Sequence, residues 1–380
     1  MPDGGPPPDL SVRGTARFAG VRASRPVECV DVLAEPERLA SGFWVVVGSF
    51  EGGVRAWRFA DVVRDVTQPD ATQPDAPAGG GPAWRGPDAS AWRSSMSRAA
   101  YVEGVAAVRA RIREGDVYQV NLCRVLSAPL PAGADEPSAV ALGDALALGN
   151  PAPHSGVLHV PGGQPLPPAW VVPASPELFL RVRGGVVASG PIKGTAATAD
   201  GLTAKDAAEN VMIADMVRND LQRVCEPGTV EVTSLLGVEH HPGLVHLVTR
   251  VQGRLLAGTG WADLLVATYP PASVSGAPKH AALGIIDALE PVPRGPYCGA
   301  FGWVDGDRGE AELAVAIRTF WWTPDGVLRF GTGAGITWGS DAAAEWDETE
   351  LKAARLVALA SRAGTPQPAR RVEAGGGPAR

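Results

Sequence analysis

Lys193 stands in the pentapeptide Pro191-Ile192-Lys193-Gly194-Thr195, with no acidic residue for several positions on either side. An amine placed like this has little local help in staying charged. Burial would lower its pKa and free a lone pair able to attack carbon. A surface turn would accommodate the same pentapeptide, so the chemical reading rests on the residues that accompany it. Glu345, Glu348 and Lys352 fall at i, i+3 and i+7 of a helical stretch and share a face. Two carboxylates one turn apart can hold a hard cation such as Mg²⁺, which favours oxygen ligands and keeps part of its water. An exposed Glu348–Lys352 ion pair is the plainer alternative. Glu209 shares a helix face with Ile213 and Met216, where a carboxylate needs a metal or a basic partner. Glu177, in Ser175-Pro176-Glu177 ahead of a strand, can serve as a general acid if its surroundings raise its pKa.

Other polar residues interrupt apolar runs. Arg318 breaks the run from Leu313 to Thr319, and an arginine there calls for a carboxylate from the protein or from a ligand. Tyr297 lies between Gly295 and Gly299. Ser275 belongs to the small-residue loop Tyr269–Lys279. His246 sits on an apolar strand, where a satisfied core histidine is the commoner outcome. The run Gly331-Thr332-Gly333-Ala334-Gly335-Ile336 leads towards the last helix and offers backbone N–H groups to an anion. Taken together, these residues describe a pocket for a small dianion.

The elements that would position them come in clumps of strands and helices without strict alternation, which favours α+β with large antiparallel sheets. Tyr101, Val105, Val108 and Ile112 recur at helical spacing and Gly115 supplies a stop. From Val117 to Leu126 the pattern alternates, predicting a half-buried strand with Gln119, Asn121 and Cys123 on its polar face. Helices are predicted over 203–221, 279–289 and 341–361, and strands over 228–232, 244–256, 299–304 and 311–321. Residues 1–64 read as a strand-rich portion of the core. Residues 65–95 contain the repeat Thr67-Gln68-Pro69-Asp70 and Thr72-Gln73-Pro74-Asp75 and read as a flexible low-complexity insertion. The catalytic region is placed at 96–363 and a disordered tail at 364–380.

Bulk composition narrows the classes. The chain has 380 residues, 45% of them hydrophobic and 20% charged, which suits a soluble protein with a large core. A net charge of −7 with no basic block argues against nucleic acid as a partner. Cys29, Cys123, Cys225 and Cys298 are far apart and form no CxxC pair, as expected in a reducing compartment. No apolar run is long enough to span a membrane, and the first residues lack a signal-peptide pattern, so a cytoplasmic location is expected.

The segments, in this order, resemble the chorismate-utilising enzymes from about Tyr101 to Ala360. The likeness is carried by Gly115–Leu122, Ser175-Pro176-Glu177, Pro191–Thr195, Glu209–Asp220 and His246-Leu247-Val248. It continues through Ser275–Lys279, Arg294–Gly299, Ala316–Thr319, Gly333–Ile336 and Glu345–Lys352. The resemblance implies two large antiparallel sheets packed together and flanked by helices, with the active site between them. Isochorismate- and salicylate-forming members carry a water-activating lysine where this chain has Gln119. Anthranilate synthases carry Pro-Ile-Ala-Gly-Thr where this chain has Lys193, as aminodeoxychorismate-forming members do. Amination of chorismate at C4, towards p-aminobenzoate and folate, is therefore implied. The alternative is amination at C2 with release of pyruvate.

The implied roles follow motif by motif. Lys193 is the covalent nucleophile and Glu177 the general acid; His246, grouped with them, lines the ring together with Ser275. Glu209, Glu345 and Glu348 hold Mg²⁺, which binds the ring carboxylate with help from Lys352. Arg318, Tyr297 and the amides of Gly333, Ala334 and Gly335 hold the enolpyruvyl carboxylate. No Gly-x-Cys-x-Gly elbow surrounds any cysteine, so ammonia is expected from a separate glutamine amidotransferase subunit. The chain departs from its relatives at Pro270-Pro271-Ala272-Ser273, where they have one or two glycines. It also lacks the Leu-Leu-Glu-Ser motif associated with tryptophan feedback, so inhibition by tryptophan is not expected.

Overall fold

Short runs of β-branched and aromatic residues between turn glycines make strands the commonest regular structure among the described residues. The computed structural model describes residues 13–64, 83–131, 136–196, 198–241 and 244–361. Its strands are β1 (Thr15–Phe18), β2 (Val21–Asp31), β3 (Phe43–Gly48), β4 (Val54–Arg64), β5 (Arg93–Ser94) and β6 (Gln119–Pro129). They continue as β7 (His154–Val160), β8 (Ala169–Ser175), β9 (Leu178–Arg183), β10 (Val186–Gly190), β11 (Ile192–Ala196) and β12 (Glu231–His241). The last are β13 (Leu244–Arg254), β14 (Gly276–Ala277), β15 (Ala300–Asp305), β16 (Glu310–Val315), β17 (Thr319–Thr323) and β18 (Val327–Ile336). The helices are α1 (Arg98–Glu114), α2 (Ala139–Gly149), α3 (Ala204–Gln222), α4 (Trp261–Thr268), α5 (Lys279–Leu289) and α6 (Ala342–Ala360).

Every strand pairing is antiparallel, and hydrogen bonding joins all the strands into one ladder. One half runs β12–β13–β10–β9–β16–β15–β3–β4, with β11 also on β13. From β4 it continues through β2–β1–β7–β8–β17–β18–β6, and β6 also pairs β5 and β14. The halves face each other across the core. Phe301 of β15 is fully buried, lies edge-on to Phe18 of β1 at 5.5 Å, and packs over Gly156 of β7. A second cluster, including Leu142, Leu146, Phe320, Phe330 and Leu356, seats α2 and α6 on the outer face of the second half. This is the expected α+β architecture, with its two sheets joined edge to edge. No helix among the described residues is long and apolar enough to cross a membrane.

Three expectations need correction. The strand around Gln119 is buried on both faces from Gln119 to Val125, because α1 covers Leu122 on one face, while on the other Gln119 and Cys123 pack against the β18 glycines and Tyr297. The single strand expected over 311–321 is two, β16 and β17, with a break at Ala316–Arg318 where the chain passes from one half-sheet to the other. Part of the expected flexible insertion is packed structure: Trp84 donates its indole N–H to Ala360 O at 2.8 Å, and Trp92 bonds Ser361 Oγ at 3.0 Å. The Thr-Gln-Pro-Asp repeat and the tail 364–380 lie outside the described residues.

Candidate active site

Two of the short connections between the half-sheets each bear a charged side chain. Pro176-Glu177 joins β8 to β9, and Ala316–Arg318 joins β16 to β17. They are stitched together by backbone and hydroxyl bonds. Val315 N donates to Glu177 O at 3.0 Å, Ala174 N donates to Arg318 O at 3.0 Å, and Ser175 Oγ donates to Val315 O at 2.6 Å. Arg318 takes a left-handed backbone at φ 53°, a conformation costing a non-glycine residue about 1 kcal/mol or more. Glu177 is buried, and that burial pushes its carboxyl up to about 7; the Ser273 hydroxyl, Lys193, the Ile192 N–H and Arg318 each pull the other way. A carboxyl poised there can give a proton at neutral pH.

Lys193 lies on β11, paired with Leu247 of β13, beside a register shift at Gly194, whose φ is 79°. Its amine donates to Ser273 O at 3.2 Å. The surrounding protein desolvates the ammonium and lowers its pKa; Glu209 and Glu177 oppose that shift, while Lys352 adds to it. Gly335 lies directly beneath, since a Cβ there would stand 3.4 Å from Lys193 Nζ and 2.5 Å from Gln119 Nε2. Gln119 is buried and its Oε1 has no hydrogen-bond partner.

Gly331, Gly333 and Gly335 alternate along β18, so their missing side chains face one way. Into that trough fit, in turn, the Tyr297 ring, Cys123 Sγ and the Gln119 amide; a Cβ would meet them at 2.0, 2.4 and 2.5 Å. Tyr297 is buried, and burial raises its phenol pKa. β17 pairs β18 only as far as Phe330, which leaves the following residues without a strand on that edge. Gly333 O there accepts from Lys352 Nζ at 3.1 Å. A residue's N–H and C=O point to the same side of a strand, so the Gly333 N–H faces the same open edge. The glycine run thus offers amides from a strand edge, where the sequence had suggested the lead into a helix.

The three glutamates come from two helices that face each other. Thr203 caps α3 in a reciprocal capping box with Asp206, and Asp341 caps α6. Lys205 Nζ lies 3.7 Å from Glu209 Oε1 and 3.4 Å from Glu345 Oε1. Lys352 Nζ lies 2.6 Å from Glu348 Oε1. Glu209 is pushed up by burial, and Glu345 and Glu348 add to this, while Lys193 and Lys205 oppose it. Burial pushes the Glu348 carboxyl up, but Lys352, Lys205 and Lys193 together hold it low. Among the described residues, no three His, Cys, Asp or Glu side chains converge closely enough to grip an ion as they stand. Glu209 Oε1 is nevertheless buried without a hydrogen bond, and the carboxylates repel one another, so the donor set suits a hard divalent cation.

The remaining expected residues take varied places. His246 is buried on β13, opposite Thr195 and Glu239. Ser275 is buried, and its hydroxyl donates to Pro271 O at 3.1 Å, closing its own loop. It is Ser273, two residues earlier, that touches both Glu177 and Lys193. Ser273 lies in the Pro-Pro-Ala-Ser stretch that departs from the relatives, and that departure was its only signal.

Two further residues hold the helices in register. Arg124 is buried on β6 and donates to Thr349 Oγ1 at 3.0 Å, with its guanidinium 4.1 Å from the Trp346 ring centroid, fixing α6. Asn210 Nδ2 donates to Leu247 O at 2.8 Å, fixing α3 to β13. Behind Glu177 a small cleft is lined by Phe179, Ser189, Asp220, Thr268 and Ser273, among others.

Comparison with known proteins gives a consistent result. A family profile described as chorismate binding enzyme matches residues 65–358. Anthranilate synthase component 1 of Streptomyces coelicolor is 38% identical over 284 residues, covering 72% of this chain and 53% of the relative. Aminodeoxychorismate synthase component 1 of Klebsiella aerogenes is 39% identical over 282 residues, covering 70% and 59%. The chain therefore spans between about half and three-fifths of the length of these relatives. Among solved structures, the menaquinone-specific isochorismate synthase of Escherichia coli superposes with a TM-score of 0.74 at 19% identity, covering 93% of this chain and 91% of that one. Anthranilate synthase component I of Streptococcus pneumoniae gives 0.70 at 24% identity, covering 91% and 90%. These two likenesses speak to the fold alone.

Proposed function

The chain belongs to the chorismate binding enzyme family, and from that premise we propose that it replaces the C4 hydroxyl of chorismate with an amino group. The observation that carries this reading is the Lys193 amine, its pKa lowered, in the same cleft as the proton-bearing Glu177. The neutral amine attacks C2 and forms a C–N bond. Electrons shift along the diene, the C4–O bond breaks, and Glu177 protonates the departing hydroxyl to water. Ammonia then bonds to C4, the diene shifts back, and the C2–N bond breaks to return the lysine amine. The surplus proton on the new amine goes to Glu177. One hard displacement becomes two easier ones.

Glu209, Glu345 and Glu348 would hold Mg²⁺, which when bound supplies positive charge for the ring carboxylate. Lys352 supports that carboxylate. Arg318, Tyr297 and the glycine edge of β18 receive the enolpyruvyl carboxylate, and His246 closes the ring side. The nitrogen comes from a separate glutamine amidotransferase subunit, and the reaction takes place in the cytoplasm. Incubating purified chain with chorismate, Mg²⁺ and an ammonium salt, then weighing the product, tests the reading. Lys193→Ala should lose the C4-aminated product while still binding chorismate; normal C4 amination by that variant would sink the lysine mechanism. The second reading, amination at C2, is favoured by the equal likeness to an anthranilate synthase component. It requires pyruvate release, so a pyruvate assay separates the two.

A further inference from the structure

Lys205 occupies a place that local helix physics does not favour. It lies in the first turn of α3, one residue after Ala204. The positive end of the helix dipole disfavours a cation there. Its spacing to Glu209 runs lysine first and glutamate second, the weaker order for an i, i+4 pair. What accounts for the residue is its reach across to α6, where its ammonium stands 3.4 Å from Glu345 Oε1 while staying 3.7 Å from Glu209 Oε1. The other two amines of the cleft have different anchors. Lys193 is held by Ser273 O, and Lys352 by Glu348 and Gly333 O.

Exposure differs sharply across this bridge. The Lys205 side chain is 50% exposed, against 16% for Glu209 and 5% for Glu345. The lysine can withdraw into water, but the two carboxylates cannot. Left without a cation they would be buried charges without compensation, which is costly.

We propose that Lys205 is a resident counter-ion. Its ammonium holds Glu209 and Glu345 in place while no divalent cation is bound, and it swings into solvent when one enters. This rests on the reading that the three glutamates hold Mg²⁺. The lysine then sets the affinity of the cage, because each metal ion must displace a positive charge already in residence.

Titration of the metal-free full-length chain with Mn²⁺ alone, followed by electron paramagnetic resonance, tests this without reference to turnover. Lys205→Met should bind Mn²⁺ roughly two- to fivefold more tightly, the equivalent of a partly exposed ion pair. Lys205→Arg should stay near the parent. In EDTA the Lys205→Met chain should melt below the parent, and Mn²⁺ should raise its Tm by more. Glu345→Gln serves as the control for the cage. If Glu345→Gln weakens Mn²⁺ binding but Lys205→Met binds no more tightly than the parent, the counter-ion role is overturned and the metal site stands. If Glu345→Gln leaves Mn²⁺ binding unchanged, the metal reading falls and this inference falls with it.

Discussion

Glu177 keeps its proton near neutrality because burial outweighs every favourable contact its charged form makes. Two consequences follow at this one residue. In its proposed role as the acid that releases the hydroxyl it must be protonated, so kcat should decline as pH rises past about 7. Glu177→Gln should lower kcat by roughly 10²- to 10⁴-fold, read in steady-state assays, with chorismate binding retained. Stability carries the same signature. Between the ordinary carboxyl value of 4.5 and about 7, the unfolded chain has released a proton that the folded chain still holds. Folding is therefore penalised progressively as pH rises through that window, and the penalty levels off above it. Melting temperatures from pH 4 to 9 should show this decline in the parent and a flatter profile in Glu177→Gln; parallel profiles would count against a buried neutral acid. Lys193 and Glu177 could both be singled out as candidates from their local sequence, and the structure brings them into one cleft. Ser273, which touches both, was not, because a serine in a proline-flanked loop carries no signal of what folds against it.

The glycines of β18 act as an element, each leaving room for a different neighbour. Gly331→Ala would drive a methyl into the rigid Tyr297 ring, so its cost should fall on stability, on the order of 1–3 kcal/mol by denaturant titration. Gly335→Ala would press on the end of the movable Gln119 side chain and on Lys193, so stability should change little and kcat should drop. If both variants lose stability equally and neither loses turnover, the trough is only a packing feature. Most elements could be read in advance where their ends carry their own chemistry. Gly115 ends α1 with φ at 87°, Thr203 caps α3, and Lys279–Leu289 is a helix as its pattern predicts. The break between β16 and β17 could not, because the run resumes directly after Arg318 with Phe320 and Trp321, and one charged residue inside a strand does not show that the partner strands change there. Arg124 was invisible for a related reason: its contact with α6 spans 225 positions of sequence.

At the scale of the molecule, one antiparallel ladder runs through both half-sheets, and the same strands supply the core and the cleft. Thermal unfolding followed by far-ultraviolet and near-ultraviolet circular dichroism should give coincident, single transitions. Separate midpoints would mean that the halves melt independently. Antiparallel architecture could be inferred from clumped strands and turn glycines, whereas the edge-to-edge joining of the sheets depends on the pairing of β2 with β4, which no local pattern encodes. The two stitched connections have a mechanical result. Glu177 and Arg318 ride on the same seam, three bonds apart from slipping past one another. The Glu177 carboxyl and the Arg318 guanidinium are thus carried by one hydrogen-bonded seam, like two teeth of one zip. The distance between these two charged groups is therefore set by the seam itself, not by the helices packed around it.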